Sequence, residues 1–212
     1  MDKGFIVLDF GSGNSCKNDT EIVINMIDEL KKVTQKKKTD KEIIIKWQLF
    51  ERCGGNTPLE RQVFDFARKY AEYLGFKTTA SVFDKDSLDF LLRYDIPFVK
   101  LANRRDLDFL IRYVPEDMLI LLSTSDKDIW LPEAQDRHIE LLLCVSQYPA
   151  TVEEYEKIGL FTNCNLSDHT DDFTLYLKYK PKIIEWHYKL KNTTGLDSGK
   201  FARTPESLEG IL

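Results

Sequence analysis

The chain has only four cysteines, Cys16, Cys53, Cys144 and Cys164, with no C-x-x-C spacing. That excludes a disulfide scaffold and a cysteine zinc site and leaves reduced thiols as the expected state. No apolar run approaches the roughly 20 residues of a membrane span, and the first residues pass into a strand-like run without a cleavable signal pattern, so no membrane partner and a cytoplasmic address are expected. Positive charge is not in excess. With 30 Lys and Arg against 35 Asp and Glu, the net charge of −5 argues against general nucleic-acid binding, which rests on many cationic contacts to phosphate. The basic stretch 31–41 reads instead as a helix C-terminus, where cations complement the dipole, running into a solvated turn. Histidine is scarce, three residues in 212, so the place of each one carries information.

What is present is ample core material. At 42% hydrophobic and 31% charged, the chain lies far from the disordered regime. Strand-like and helix-like patterns take turns along it. Residues 5–10 form a short apolar run ended by Gly11-Ser12-Gly13-Asn14, after which Asp19 or Thr20 can cap an amphipathic helix over 21–33. The β-branched run 43–49 suits a buried parallel strand and is followed by a helix over 58–74. The spacing then predicts strands at 78–83, 98–102, 118–124, 139–146, 161–166 and 182–187. Helices are expected at 86–94, 106–113, 152–158, 171–179 and 205–212. Between Thr124 and His138 the pattern has no helical period and contains Pro132, which predicts a loop or a single turn where a fifth helix would lie.

Eight strands alternating with helices predict one domain over 1–212, a compact (β/α)8 TIM barrel with helix 5 reduced or missing. An open doubly wound sheet is the alternative. In a barrel the active site lies at the carboxyl ends of the strands, so polar residues that close apolar runs form a functional map. They are Asp9, Lys46, Gln48, Ser81, Lys100, Asn103, Ser123, Ser146, Gln147, Ser167, His169, Glu185 and His187. His169 and His187 close consecutive strand-like runs, an arrangement suited to a shared metal, with two hydrogen-bonded core histidines as the alternative. His138 precedes a strand and reads as surface. Lys46 follows three isoleucines and is too costly to bury unpaired, so it must meet an anion. That anion is either a ligand, with the serines as hydroxyl donors to a phosphate, or an inward carboxylate such as Asp9.

These residues carry a resemblance. The segments Leu142-Leu143-Cys144-Val145-Ser146-Gln147-Tyr148-Pro149-Ala150, Ser167-Asp168-His169-Thr170 and Ile184-Glu185-Trp186-His187 resemble motifs of the sialic acid (N-acetylneuraminate) synthase family. Glu51-Arg52-Cys53, Phe83-Asp84 to Leu91 and Phe98-Val99-Lys100-Leu101-Ala102 follow its pattern too. The resemblance implies a barrel that condenses phosphoenolpyruvate with the open-chain aldehyde of an N-acyl amino sugar and releases phosphate. It implies that His169 and His187 hold a divalent metal, manganese or magnesium, which polarises the aldehyde oxygen. It places Lys46, Ser123, Ser146 and Ser167 around the phosphate, Gln48 and Tyr148 near the sugar, and Asp197, in Thr194-Gly195-Leu196-Asp197, at the family's acidic position. Glu185, beside His187, is a candidate for proton transfer or water orientation, with strand alternation expected to turn it away from the metal.

Departures from the family pattern are equally specific. The usual antifreeze-like C-terminal domain is not in this sequence, so self-association or a separately encoded domain of that kind is the expected partner besides the substrates. The fifth-strand motif reads Ser123-Thr124-Ser125-Asp126, and an inward carboxylate at Asp126 would repel phosphate. Leu143 stands where the family has histidine, Val82 where it has proline, and Asp9 where it has glutamate. Tyr188-Lys189 alters the aromatic run after the second histidine. A phosphoenolpyruvate-dependent synthase is therefore the leading expectation. A metal-dependent lyase or hydrolase on the same barrel and a catalytically silent binding barrel are its alternatives.

Overall fold

Continuous β-branched and aliphatic runs can be satisfied only where both faces of a strand are covered, and here closure of the sheet covers them. The computed structural model describes residues 4–51, 55–134, 136–193, 195 and 197–212. Its strands are β1 (Phe5–Asp9), β2 (Glu42–Leu49), β3 (Lys77–Val82), β4 (Val99–Leu101), β5 (Ile120–Thr124), β6 (Ile139–Cys144), β7 (Leu166–Asp168) and β8 (Ile183–His187). They form a closed barrel in sequence order, and every pair is parallel. The register Asp9↔Lys46 and Asp9↔His187 brings the ends of β1, β2 and β8 to one level.

Alternation along the strands divides the side chains between two environments. Outward residues such as Ile6, Leu8, Ile45, Trp47, Val82, Leu101, Leu122, Leu143, Ile184 and Trp186 join the main core beneath the helices. Inward residues are layered. Val7, Ile44, Phe98, Leu121, Leu142 and Ile183 form a separate apolar plug. Two residues further along the same strands, Asp9, Lys46, Lys100, Ser123, Cys144 and Glu185 are polar or ionisable and buried. Apolar packing thus seals one mouth of the barrel and polar chemistry occupies the other.

The helical layer is α1 (Gly13–Cys16), α2 (Thr20–Lys36), α3 (Arg61–Tyr73), α4 (Lys85–Leu91), α5 (Val152–Lys157), α6 (Thr174–Tyr179) and α7 (Pro205–Glu209). Side-chain caps define several starts: Asp19 accepts from Glu21 N–H, Asp84 from Ser87 N–H, and Thr151 with Glu154 makes a capping box. The short helix expected at 106–113 is present as a 3-10 helix over 105–113. Buried Leu107, Leu110 and Ile111 at i, i+3 and i+4 suit either periodicity over so short a span. Among the described residues a 3-10 turn, Pro132–Ala134, occupies the place of the fifth helix, as the proline and absent periodicity predict. On that flank Ile139 and Leu141 are half-buried and Trp130 is 76% exposed.

The expected strand at 161–166 is corrected. Phe161 is exposed, Asn163 adopts a left-handed φ of 68°, and Cys164 N–H closes a turn on the Phe161 carbonyl. Asn165 then substitutes its side chain for ladder bonds, accepting from Ile183 N–H and donating to Glu140. The ladder itself begins only at Leu166. Cys16, Cys144 and Cys164 are free and buried, as expected for reduced thiols, whereas Cys53 lies outside the described residues. His138 is exposed, and no helix among the described residues is long and apolar enough to cross a membrane.

Candidate active site

Above the apolar plug a cavity of about 710 Å³ opens at the carboxyl ends of the strands. That volume lies within the range that small-molecule sites occupy. Of the polar strand ends, Asp9, Lys46, Gln48, Ser81, Lys100, Asn103, Ser123, Ser146, Ser167, His169, Glu185 and His187 line it, as do Tyr148 and Asp197, whereas Gln147 is exposed and does not.

The floor is a chain of buried charges. Lys46 Nζ lies 2.8 Å from Asp9 Oδ2, 2.8 Å from Glu185 Oε1 and 2.8 Å from Ser81 Oγ. Lys100 Nζ donates to Ser123 Oγ and the Leu101 carbonyl, each at 2.8 Å, and stands 3.5 Å from Glu185 Oε2. Of the two anions left open for Lys46 by its sequence, the protein carboxylate is the one observed. Burial works against the Lys46 ammonium, but Asp9 and Glu185 outweigh it and raise its pKa. For Lys100 burial prevails, aided by the Lys46 charge and opposed by Glu185, and its pKa is lowered. Burial would raise both carboxyls, yet Lys46 and His187 hold Asp9 below its ordinary value, and Lys100 and Lys46 hold Glu185 well below it. Lys100 is therefore the less neutralised of the two cations. It was legible as a polar strand end, by the same signal as Lys46, but received no role.

Glu185 requires a correction. Positions 185 and 187 are two apart, so alternation puts them on the same face, and Glu185 is 5% exposed inside the barrel between the two lysines. It does not turn away from the cavity.

Near the mouth, Gln48 Nε2 donates to Asp9 Oδ2 at 2.8 Å and to Asp197 Oδ1 at 3.2 Å. Burial and the neighbouring Asp9 raise the Asp197 carboxyl, with His187 opposing. The approach of Asp197 is possible because Gly11 lies at φ +77°. A side chain there would meet Ser15 Oγ at 2.1 Å and Asp197 Oδ2 at 2.9 Å.

The histidine rings lie 5.4 Å apart between centroids. His169 Nδ1 is 2.6 Å from the Val145 carbonyl, a contact that only an N–H satisfies, which leaves the Nε2 lone pair available 3.4 Å from Ser167 Oγ. The Tyr155 hydroxyl fixes this strand end by accepting from His169 N–H and donating to the Ser167 carbonyl. His187 Nδ1 lies 3.6 Å from Asp9 and 3.8 Å from Asp197, buried, with no hydrogen-bond partner among the described residues. One imidazole oriented by a backbone carbonyl and one orphaned ring nitrogen fit a divalent cation. Among the described residues no group of three His, Cys, Asp or Glu is placed to enclose one, so solvent and substrate would complete its shell.

Burial, then the neighbouring His187, push the His169 imidazole down to about 3. Between that value and the ordinary 6.5, the unfolded chain binds a proton that the folded chain refuses. Stability from this group is therefore present above pH 6.5 and lost as pH falls toward 3. In metal-free buffer, His169→Gln is expected to flatten the pH dependence of the urea midpoint between pH 6 and 4 relative to the wild type. An unchanged slope would show that the ring is not desolvated.

Several lining residues were not foreseen. Phe50, Phe83 and Arg104 form one wall, with the guanidinium 5.9 Å from the Phe83 ring, and Asn14 and Asn56 sit nearby, bonded to each other at 3.2 Å. Phe201 stands 5.0 Å from both Tyr148 and His187. Phe50 and Phe83 lie two residues beyond inward Gln48 and Ser81, so alternation points to them, but as apolar residues they fall outside a set of polar strand ends. Arg104, Asn14, Asn56 and Phe201 lie outside the strands, where alternation gives no signal. Ser146 is exposed at the rim, where Asn103 Nδ2 donates to it at 3.0 Å. Asp126 does not face the cavity: its carboxylate accepts from Asp128 N–H in an exposed turn. Cys144 lies on the floor, where burial drives its thiol up to about 11 and makes it inert.

Residues 19–212 match the NeuB family. Among solved structures, the fold is similar to an N-acetylneuraminic acid (sialic acid) synthetase from Leptospira borgpetersenii serovar Hardjo-bovis in complex with citrate. The TM-score is 0.75 at 20% identity, covering 99% of this chain and 81% of that one. A spore coat polysaccharide biosynthesis protein of Bacillus subtilis gives a TM-score of 0.75 at 18% identity, with 98% and 66% of the two chains covered. A truncated 3-deoxy-D-arabino-heptulosonate 7-phosphate synthase from Thermotoga maritima gives 0.64 at 12%, with 98% and 84% covered. At such identities the likeness establishes the fold. No curated protein sequence matches the chain.

Proposed function

The chain belongs to the NeuB family, and on that premise we propose that it is a phosphoenolpyruvate-dependent condensing synthase. It joins the three-carbon enol to an N-acyl amino sugar of the N-acetylmannosamine kind, or to a smaller aldehyde, with release of phosphate. The observation that carries this reading is the convergence of two buried ammonium groups, three hydroxyls and two imidazoles on one cavity.

Phosphoenolpyruvate brings two anionic groups, and the floor offers two cations. Lys100, the less neutralised, receives the phosphate together with Ser123 and Ser167, and Ser146 reaches it from the rim. An arriving anion favours the ammonium form that burial disfavours, so binding and protonation of Lys100 reinforce each other. Lys46 keeps Asp9 and Glu185 ionised and adds positive potential beneath the substrate carboxylate. Gln48, Tyr148 and Asp197 face the acceptor near the mouth.

A divalent manganese or magnesium ion held by His169 and His187 would polarise the acceptor aldehyde as a Lewis acid. The remaining work falls to the side chains. As the enol carbon bonds to the aldehyde carbon, the new alkoxide takes a proton from the Asp197 carboxyl, the acid whose pKa is raised here. Water then adds to the cationic phosphate-bearing carbon and gives up one proton to the Asp197 carboxylate, which restores the acid. Glu185, ionised and inward, orients that water rather than holding its proton, because so low a pKa makes it a weak base. The hemiketal then collapses to the ketone: its hydroxyl proton passes to the departing phosphate as the carbon–oxygen bond breaks, and phosphate leaves toward Lys100 and the serines. Fixed positions and charges supply most of the rate enhancement. The turned-away Asp126 leaves phosphate unopposed on the fifth-strand side.

The test is phosphate release from phosphoenolpyruvate across a panel of aldoses and N-acyl mannosamines with manganese or magnesium. Release is expected only when an acceptor is present. Manganese plus phosphoenolpyruvate at a hundred times its Kd should add about 2.7 kcal/mol of stability and raise Tm. No release with any acceptor, from folded and metal-loaded protein, would overturn the synthase. A rise in Tm with manganese but none with phosphoenolpyruvate would point to the metal-dependent lyase or hydrolase instead.

A further inference from the structure

The two imidazoles sit on neighbouring strand ends, and the groups that hold those ends together lie outside the cavity. Asp168, between Ser167 and His169, points to the outer face of β7 and is fully buried. Its Oδ1 accepts from Thr170 N–H at 2.9 Å and Thr170 Oγ1 at 2.7 Å. Its Oδ2 accepts from Trp186 Nε1 at 2.9 Å and Arg203 Nη2 at 3.1 Å. Trp186 immediately precedes His187.

Arg203 connects more of the site than any of these. Its backbone N–H donates to the His187 carbonyl at 2.7 Å, and its carbonyl accepts from Lys189 N–H at 2.9 Å. Its guanidinium lies 4.7 Å from the Phe173 ring and 5.8 Å from the Trp186 ring, and it also donates to the Asp172 carbonyl. The residue is 2% exposed. It also anchors the segment that carries Asp197 and Phe201 to the cavity mouth. One buried residue thus ties the His169 strand end through its guanidinium on Asp168, the His187 strand end through its backbone and through its stack on Trp186, and the Asp197 segment through chain continuity.

We propose that Arg203 is a positioning residue that fixes the spacing of His169 and His187 and seats Asp197. It thereby sets divalent-cation affinity and acceptor binding without touching either ligand. The cation and acceptor in this statement rest on the function proposed above, whereas the spacing of the rings does not. Arginine suits the task because a planar fork can bond a carboxylate and a carbonyl while stacking on aromatic faces, which an ammonium group cannot do.

Arg203→Met alone would leave the Asp168 carboxylate buried without its ion-pair partner, so the informative variant is Arg203→Met with Asp168→Asn, which removes both charges. Arg203→Lys is the second variant and decides the matter if the double variant does not fold. Two readouts apply: manganese affinity of the otherwise metal-free protein by electron paramagnetic resonance, and histidine-ring ¹H–¹⁵N correlations without metal. The expected result is a folded double variant with near wild-type unfolding midpoint, manganese binding weakened about 10- to 100-fold, and displaced His169 and His187 resonances. Acceptor KM should rise more than kcat falls. A folded variant with wild-type manganese affinity and unchanged ring resonances would overturn the proposal. If the wild type itself binds no manganese, the metal in the proposed function fails, and the ring resonances still decide the role of Arg203.

Discussion

Lys46→Met is expected to destabilise the barrel by about 3–5 kcal/mol, the usual cost of removing one partner from a buried ion pair. Lys46 is 3% exposed and stands 2.8 Å from both Asp9 and Glu185. Methionine fills similar space but leaves two carboxylates facing each other across a low-dielectric floor, with Lys100 alone to offset them. Urea unfolding at neutral pH measures the loss. The pH dependence should change in a defined direction. Asp9 and Glu185 have lowered pKa values in the folded wild type, so their stability contributions are present above the unfolded values near 4 and vanish as pH falls through the folded ones. Lys46 has a raised value, so its contribution is complete below about pH 10 and is lost as pH climbs through the folded value. The variant should therefore lose stability most at neutral pH and recover part of it in acid, where the carboxyls can be neutral. A loss under about 1 kcal/mol, typical of exposed pairs, would show that water reaches the floor.

His187→Ala should lower kcat/KM for the condensation by about a thousandfold, because polarisation of an electrophile by a bound cation is worth several kcal/mol. Phosphoenolpyruvate binding should survive, since the proposed function assigns its two anionic groups to Lys100, Lys46 and the serines rather than to the imidazoles. The measurement is steady-state phosphate release with acceptor, paired with a manganese binding isotherm and a phosphoenolpyruvate thermal shift. Retained turnover together with retained manganese affinity would reassign His187 to packing against Tyr148 and Phe201, 5.8 and 5.0 Å from it between ring centroids. The orphaned Nδ1 argues for the ligand role, because a packing histidine ordinarily satisfies its buried nitrogen.

Periodicity in the sequence determined the eight alternating strand–helix units, the reduced fifth helix and the polar strand ends, whereas closure into a barrel rather than an open sheet was settled by the tertiary structure. A closed parallel barrel needs apolar runs covered on both faces, and its chemistry has room only where those runs end. Local pattern was insufficient where two geometries share one hydrophobic spacing, as in the 3-10 helix at 105–113, or where an apolar run is a turn, as at 161–165 with its left-handed Asn163. Tertiary structure alone decided which anion meets Lys46, where Glu185 points relative to both lysines, and that Arg203 joins the two histidine strand ends. Those outcomes depend on distances between residues far apart in the chain. Barrel closure and register set such distances, and neither a single strand nor its flanking residues encode them.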